Sequence, residues 1–192
     1  MPQRKVPLIP GEYYHIYNRG INSEIVFRTE RNYYFYLRRI KEIITPHAAK
    51  IIAYVLMPTH YHLLVQITNN NFSFAMGRVN NSYTKAYNKD WGRTGPLFEG
   101  RFKSKHIDSD KYILELSRYI HRNPVSAHLV DTPQEWPFSS YMNLLGNKDE
   151  ELPVSDFVHA YFDPKDPSTS YQLYVEDGSN EIKNPIKHLL FE

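Results

Sequence analysis

The 192-residue chain contains no cysteine. That excludes disulfides, thiolate metal sites and cysteine nucleophiles. It has no run of 18 apolar residues, so no stretch reads as a membrane-spanning helix, and it shows no signal-peptide pattern. A soluble, cytoplasmic protein with no membrane partner is the expectation. Internal repeats and low-complexity tracts are also missing. The length suits one domain plus an extension, with a core large enough to fold alone.

Positive charge is scarce in one part of the chain only. Residues 131–192 hold 4 Lys and Arg against 12 Asp and Glu, a charge of −8, whereas residues 1–130 hold 19 against 9, a charge of +10. The overall +2 hides this split. A strongly basic front part rich in aromatics is the footprint of a protein that holds phosphates, although a merely solvated basic face would look the same.

The order of hydrophobic patterns predicts an α+β protein. Tyr13 to Asn18 reads as a strand. Thr29 to Ile44 reads as a helix capped by Thr29, with Tyr33, Leu37 and Ile40 on one stripe. Lys50 to Met57 is apolar on both faces and reads as a buried central strand. Pro58-Thr59 suggests a hairpin into a strand that starts near His60. Phe72 to Asp90 reads as a second helix and Phe98 to Ile107 as a strand or strand-like loop. A helix follows from Asp110 to about Asn123, where Pro124 should end it. Pro137 to Leu145 suggests one more short helix. The sum is a ferredoxin-like βαββαβ core with an antiparallel sheet, extra helices and a C-terminal extension. The expected division is a domain over residues 1–146 and an acidic extension over residues 147–192.

Chemistry concentrates at two places. In His60-Tyr61-His62 the imidazoles are two apart on a strand, so they share a face while Tyr61, Leu63, Val65 and Ile67 pack the other. Two neighbouring imidazoles make a metal half-site, or simply a polar strand surface. On the later helix Tyr119 and Asn123 are four apart and share a face, which sets a hydroxyl one turn from an amide oxygen able to bind a hard cation. A core tyrosine followed by a capping asparagine is the plainer reading. Nearby Glu115 and His121 read as surface residues.

Four segments together resemble a known family. They are His15-Ile-Tyr-Asn-Arg-Gly20, Met57 to Val65 with its His60-Tyr61-His62, Gly95 to Lys103, and Arg118 to Val125. The histidine motif fits the HUH pattern, where U is hydrophobic. The ordered set resembles the single-tyrosine HUH transposases, most closely the REP-associated tyrosine transposases, and covers about residues 11 to 145. The resemblance implies an HUH endonuclease fold with Tyr119 as nucleophile. It implies Mg²⁺ or Mn²⁺ held by His60, His62 and Asn123. The implied substrate is single-stranded or hairpin DNA, cut through a 5′-phosphotyrosine intermediate. It also implies a bacterial-type, nucleoid-associated protein, with a monomer favoured over a homodimer.

Aromatics that stack on unpaired bases and cations that track the backbone nominate DNA contacts. The candidates are Arg101, Lys103, Lys105, Arg93, Lys85, Tyr83 and Arg19, with Asn80, Asn81, Ser82 and Tyr87 alongside. Two other readings stand beside this one: a non-catalytic nucleic-acid-binding module, and an HUH nuclease of the replication-initiator or relaxase type. A metallohydrolase in which water attacks is a third. The acidic extension has turns at Asp163 to Pro167 and at Asp177 to Asn180. Val154 to Phe162 and Tyr171 to Val175 carry enough apolar residues to dock. It reads as a packed helical addition, or as a flap that covers the basic surface and competes with DNA.

Overall fold

The computed structural model describes residues 8–146, 152 and 156–177. Val154 and the Gly178 to Asn180 turn lie outside them. Four strands, β1 (Tyr13–Arg19), β2 (Ala49–Met57), β3 (His60–Ile67) and β4 (Lys103–Ile107), form one sheet in the order β2-β3-β1-β4. All three pairings are antiparallel. The helices are α1 (Glu30–Ile43), α2 (Phe72–Asp90), α3 (Asp110–Ser126), α4 (Tyr141–Leu144) and α5 (Pro167–Glu176). The core is thus the expected α+β, ferredoxin-like βαββαβ arrangement with added helices.

Each face of the sheet buries its own apolar cluster. Tyr61, Leu63, Val65 and Ile67 of β3 meet Tyr36, Leu37 and Ile40 of α1 and Met76 and Val79 of α2. Leu64 points the other way, with Val55 and Met57 of β2, onto Ile113, Leu116 and Ile120 of α3. The alternation along β3 therefore sends His62 toward α3.

Thr29 caps α1 as expected, and the Asn32 side chain accepts from the backbone N–H of Arg28 and Thr29. Ser109 caps α3 by accepting from the Tyr112 N–H. The Pro58-Thr59 hairpin is clamped: Gly20 N–H donates to Thr59 O, and Val26 and Phe27 N–H donate to Pro58 O. A Cβ on Gly20 would stand 2.2 Å from Glu24 O. Only glycine lets the end of β1 approach the turn that carries His60.

Four expectations need correction. β2 is an edge strand, not a central one. Its apolar character has another cause, since residues 136–140 cover its free edge. Leu56 N–H donates to Phe138 O, Ser140 N–H to Tyr54 O, and Trp136 Nε1–H to Leu56 O. Phe138 and Ser140 commit their backbone groups to that edge, so the helix expected from Pro137 shrinks to Tyr141–Leu144. In the Phe98 to Ile107 stretch only Lys103–Ile107 is a strand, with Phe98 making an isolated bridge to Gly20. Finally, α3 runs through Pro124 to Ser126. A proline in the last turn removes one donor only, and Ala127 N–H still reaches Asn123 O.

The described part of the extension docks on α3. Tyr171 and Val175 of α5 join the cluster of Leu116 and Ile120. Arg118 donates to Asp177 O and Arg122 to Val175 O, so two cations of α3 cap the C-terminal carbonyls of α5.

Candidate active site

The hairpin turn and the antiparallel register place the two histidines. His60 and His62 project on one face of β3 with ring centroids 5.0 Å apart. Opposite them on β1 lie Arg19 and Tyr17. From above, α3 lowers Tyr119, whose ring meets His62 edge-on at 5.5 Å. Asn123, one turn further, is hydrogen-bonded to both His60 and Tyr119. Two half-sites 59 residues apart in sequence thus form one cluster in one chain.

Electrostatics keep the imidazoles neutral. Burial pulls His60 down to about 4, against a hydrogen bond to Asn123 that favours the proton and with some help from the Arg19 charge. His62 is held well below the usual range by burial, with His15 and His60 adding to it. Neutral imidazoles offer the lone pairs a cation needs. Tyr119 is raised above the ordinary phenol value by burial, and its hydrogen bond to Asn123 works in the opposite sense.

The donor types, two imidazole nitrogens and one amide oxygen, are of a kind that suits a divalent cation such as Mg²⁺ or Mn²⁺. Among the described residues no group of three His, Cys, Asp or Glu side chains is arranged to hold a metal ion, and Asn123 is the polar side chain beside the two histidines.

The DNA-contact candidates divide. Register places Lys103 opposite Tyr17 and Lys105 opposite His15, on the same sheet face as His62. Lys105 Nζ stands 5.9 Å over the Tyr17 ring. Arg101 is exposed just before β4. Arg19 is close to His60 but also paired with Glu99 at 2.5 Å. Arg93 is held by Glu24 at 2.8 Å. Lys85 is exposed on α2, which packs on the far face of the sheet. Tyr83 is a correction. It is 1% exposed, its hydroxyl donates to Val26 O, and it has no surface to offer a base. Tyr87 is likewise buried, and buried Asn80 accepts from the Tyr36 hydroxyl at 2.7 Å.

Two histidines escaped the sequence reading. His15 lies buried against His62 with Nε2 2.9 Å from its Nδ1. Its signal was a polar residue alternating with tyrosines inside an otherwise buried strand. His121, read as surface, is wholly buried between the Tyr171 hydroxyl at 2.7 Å and the Ser140 hydroxyl at 2.8 Å.

A cleft of about 770 Å³ opens between α2 and residues 100–102. Phe74, 73% exposed, lines it with Arg78, Asn81 and Arg101. Among the described residues no helix is long and apolar enough to cross a membrane.

The chain is similar to known proteins in sequence and in fold. The family described as "Transposase IS200 like" matches residues 10–123. A protein of Haemophilus influenzae named for REP-associated tyrosine transposases is 25% identical over 112 residues, which is 53% of this chain and 64% of that relative. The match therefore spans less than two thirds of the relative's length. The solved structure of a REP-associated tyrosine transposase bound to a REP hairpin superposes with a TM-score of 0.64 at 19% identity, covering 81% of this chain and 93% of the other. At that identity the likeness speaks for the fold.

Proposed function

Because the chain belongs to the IS200-like transposase family, we propose that it cuts and rejoins single-stranded DNA beside a hairpin or palindrome, with Tyr119 as nucleophile. The observation that carries this reading is the convergence of Tyr119, Asn123, His60 and His62 in one chain. The Tyr119 oxygen attacks phosphorus, a new P–O bond forms, and the bond to the 3′ oxygen breaks. The products are a 5′-phosphotyrosine and a free 3′-OH. The ester keeps the bond energy, so a later 3′-OH can displace the tyrosine without ATP.

His60, His62 and Asn123 would hold the divalent cation, which when bound withdraws charge from the non-bridging phosphate oxygens. Asn123 also fixes the hydroxyl of Tyr119, and α3 presents the ring against His62. Lys103, Lys105 and Arg101 would guide the phosphates toward that face, with Arg19 at the histidine end. The four residues come from one chain, which supports action as a monomer rather than a homodimer. Residues 1–146 are the nuclease domain, and the extension over residues 147–192 supports it through α5.

The deciding experiment is a denaturing gel of labelled single-stranded hairpin DNA incubated with Mn²⁺, Mg²⁺ or EDTA. An SDS-resistant protein–DNA band that needs the cation supports the reading. Cleavage without that band would assign the attack to water. Binding with neither would favour a non-catalytic module.

The α2 cleft suits an unpaired base. Phe74 offers an exposed ring for stacking, flanked by Arg78 and Arg101. Phe74→Ala should weaken single-strand binding by about 1–3 kcal/mol, as loss of one stacking platform does. Fluorescence anisotropy with EDTA present measures this apart from cleavage. Unchanged affinity would place the strand elsewhere.

A further inference from the structure

His15 touches the proposed site yet has no part in the reaction above. It is fully buried on β1, stacked on His62 with ring centroids 5.1 Å apart and planes inclined by 26°. Its Nε2 is 2.9 Å from His62 Nδ1. Two neutral imidazoles at that distance share one hydrogen, carried by one nitrogen and accepted by the other. The direction matters. If His15 donates, the proton of His62 sits on Nε2 and leaves no lone pair there for a cation. If His15 accepts, His62 carries its proton on Nδ1 and the Nε2 lone pair is open. The Thr59 hydroxyl lies 2.9 Å from His60 Nδ1 and, since a hydroxyl can accept as well as donate, allows the second pattern there too. Each imidazole then has an acceptor behind Nδ1. Such outer partners orient ligands and set their tautomers.

We propose that His15 is a positioning residue that accepts the Nδ1 proton of His62 and so fixes the tautomer through which His62 binds a divalent cation. This rests on the metal-dependent reading of the site. It adds a β1 residue to the His60-Tyr61-His62 pair and gives the first residue of the His15 to Gly20 segment a chemical task.

The test uses the full chain without DNA. His15→Gln keeps an acceptor oxygen where Nε2 was, whereas His15→Leu removes it at similar volume. Mn²⁺ affinity is read from the loss of the free-ion EPR signal, and folding from thermal melts. His15→Leu should weaken Mn²⁺ binding by about 10–100-fold. His15→Gln should stay close to wild type, and hairpin binding in EDTA should be unchanged in both. Wild-type affinity in the leucine variant would overturn the proposal, as would equal losses in both variants, which would assign the ring a packing role. If the leucine variant fails to fold, imidazole ¹⁵N spectra of the wild type decide. A proton on Nδ1 of His62 is expected, and one on Nε2 overturns the inference. Wild type showing no Mn²⁺ binding that His60→Ala removes would instead overturn the metal reading, and this inference with it.

Discussion

Tyr119→Phe is expected to lower strand cleavage by about 10⁴-fold or more and to abolish the covalent adduct, while hairpin binding stays as in wild type. Losses of that size follow removal of a nucleophile, because no neighbouring group can replace the bond it makes. The substitution deletes one hydroxyl. The ring keeps its edge-on packing against His62, and Asn123 keeps its hydrogen bond to His60. The structural cost is about 1 kcal/mol, the usual worth of one hydrogen bond. Tyr17 also lies near His62, with ring centroids 6.2 Å apart, but it sits on β1 without the asparagine one helical turn away that Tyr119 has. Tyr61 faces the opposite side of the sheet, Tyr83 is in the core, and Tyr112 lies two turns earlier on α3. Single-turnover cleavage with melting curves separates chemistry from folding. A variant that cleaves within tenfold of wild type would remove Tyr119 from the reaction.

His121→Leu is expected to be the most destabilising change on α3 outside the apolar cluster, by about 2–4 kcal/mol. For a chain of this size that lowers the melting temperature by roughly 4–16 °C. His121 ties α3 to two other segments at once. One ring nitrogen meets the Tyr171 hydroxyl of α5, and the other meets Ser140, whose Oγ also accepts from Tyr54 N–H on β2. Leucine takes one buried partner from each hydroxyl and breaks the link between α5, the Ser140 segment and α3. The pH dependence gives a second signature. Burial lowers His121 to about 3, below the unfolded value of about 6.5. Between those limits the unfolded chain binds the proton and the folded one does not. The contribution is full above about pH 6.5 and falls as pH drops toward 3, with a slope approaching about 1.4 kcal/mol per pH unit. His121→Leu should flatten that part of the curve. An unchanged acid limb would mean that other groups set it.

The same contacts bear on the acidic extension. α5 supplies its carbonyls to Arg118 and Arg122, and Tyr171 to His121, all on the helix that carries Tyr119 and Asn123. The described residues thus dock as the apolar content of Tyr171 to Val175 suggested.

Local pattern carried much of the structure. The period-2 run after Pro58 put His60 and His62 on one face, and the helical spacing did the same for Tyr119 and Asn123, but spacing alone favoured plainer readings of both pairs, and the family resemblance singled them out. Long-range pairing was not legible. His15 and His62 are 47 residues apart, and only the β1–β3 register brings them together. His121 looked like a surface histidine because its partners, Ser140 and Tyr171, come from segments whose placement no local pattern specifies. β2 looked central because the segment that covers its edge lies some 80 residues later. Tyr83 misled for another reason. A phenol can stack on a base or bury its ring and satisfy its hydroxyl on a backbone carbonyl, and sequence does not separate the two.

The most direct test of the account is to find where the DNA attaches. Single-stranded hairpin DNA would be incubated with the protein and Mn²⁺, the denatured adduct digested with nuclease and protease, and the nucleotide-bearing peptide identified by mass spectrometry. Sixteen tyrosines are available, and the account predicts a 5′-linked nucleotide on Tyr119 alone. A nucleotide on any other residue, or cleaved DNA with no modified peptide, would contradict it.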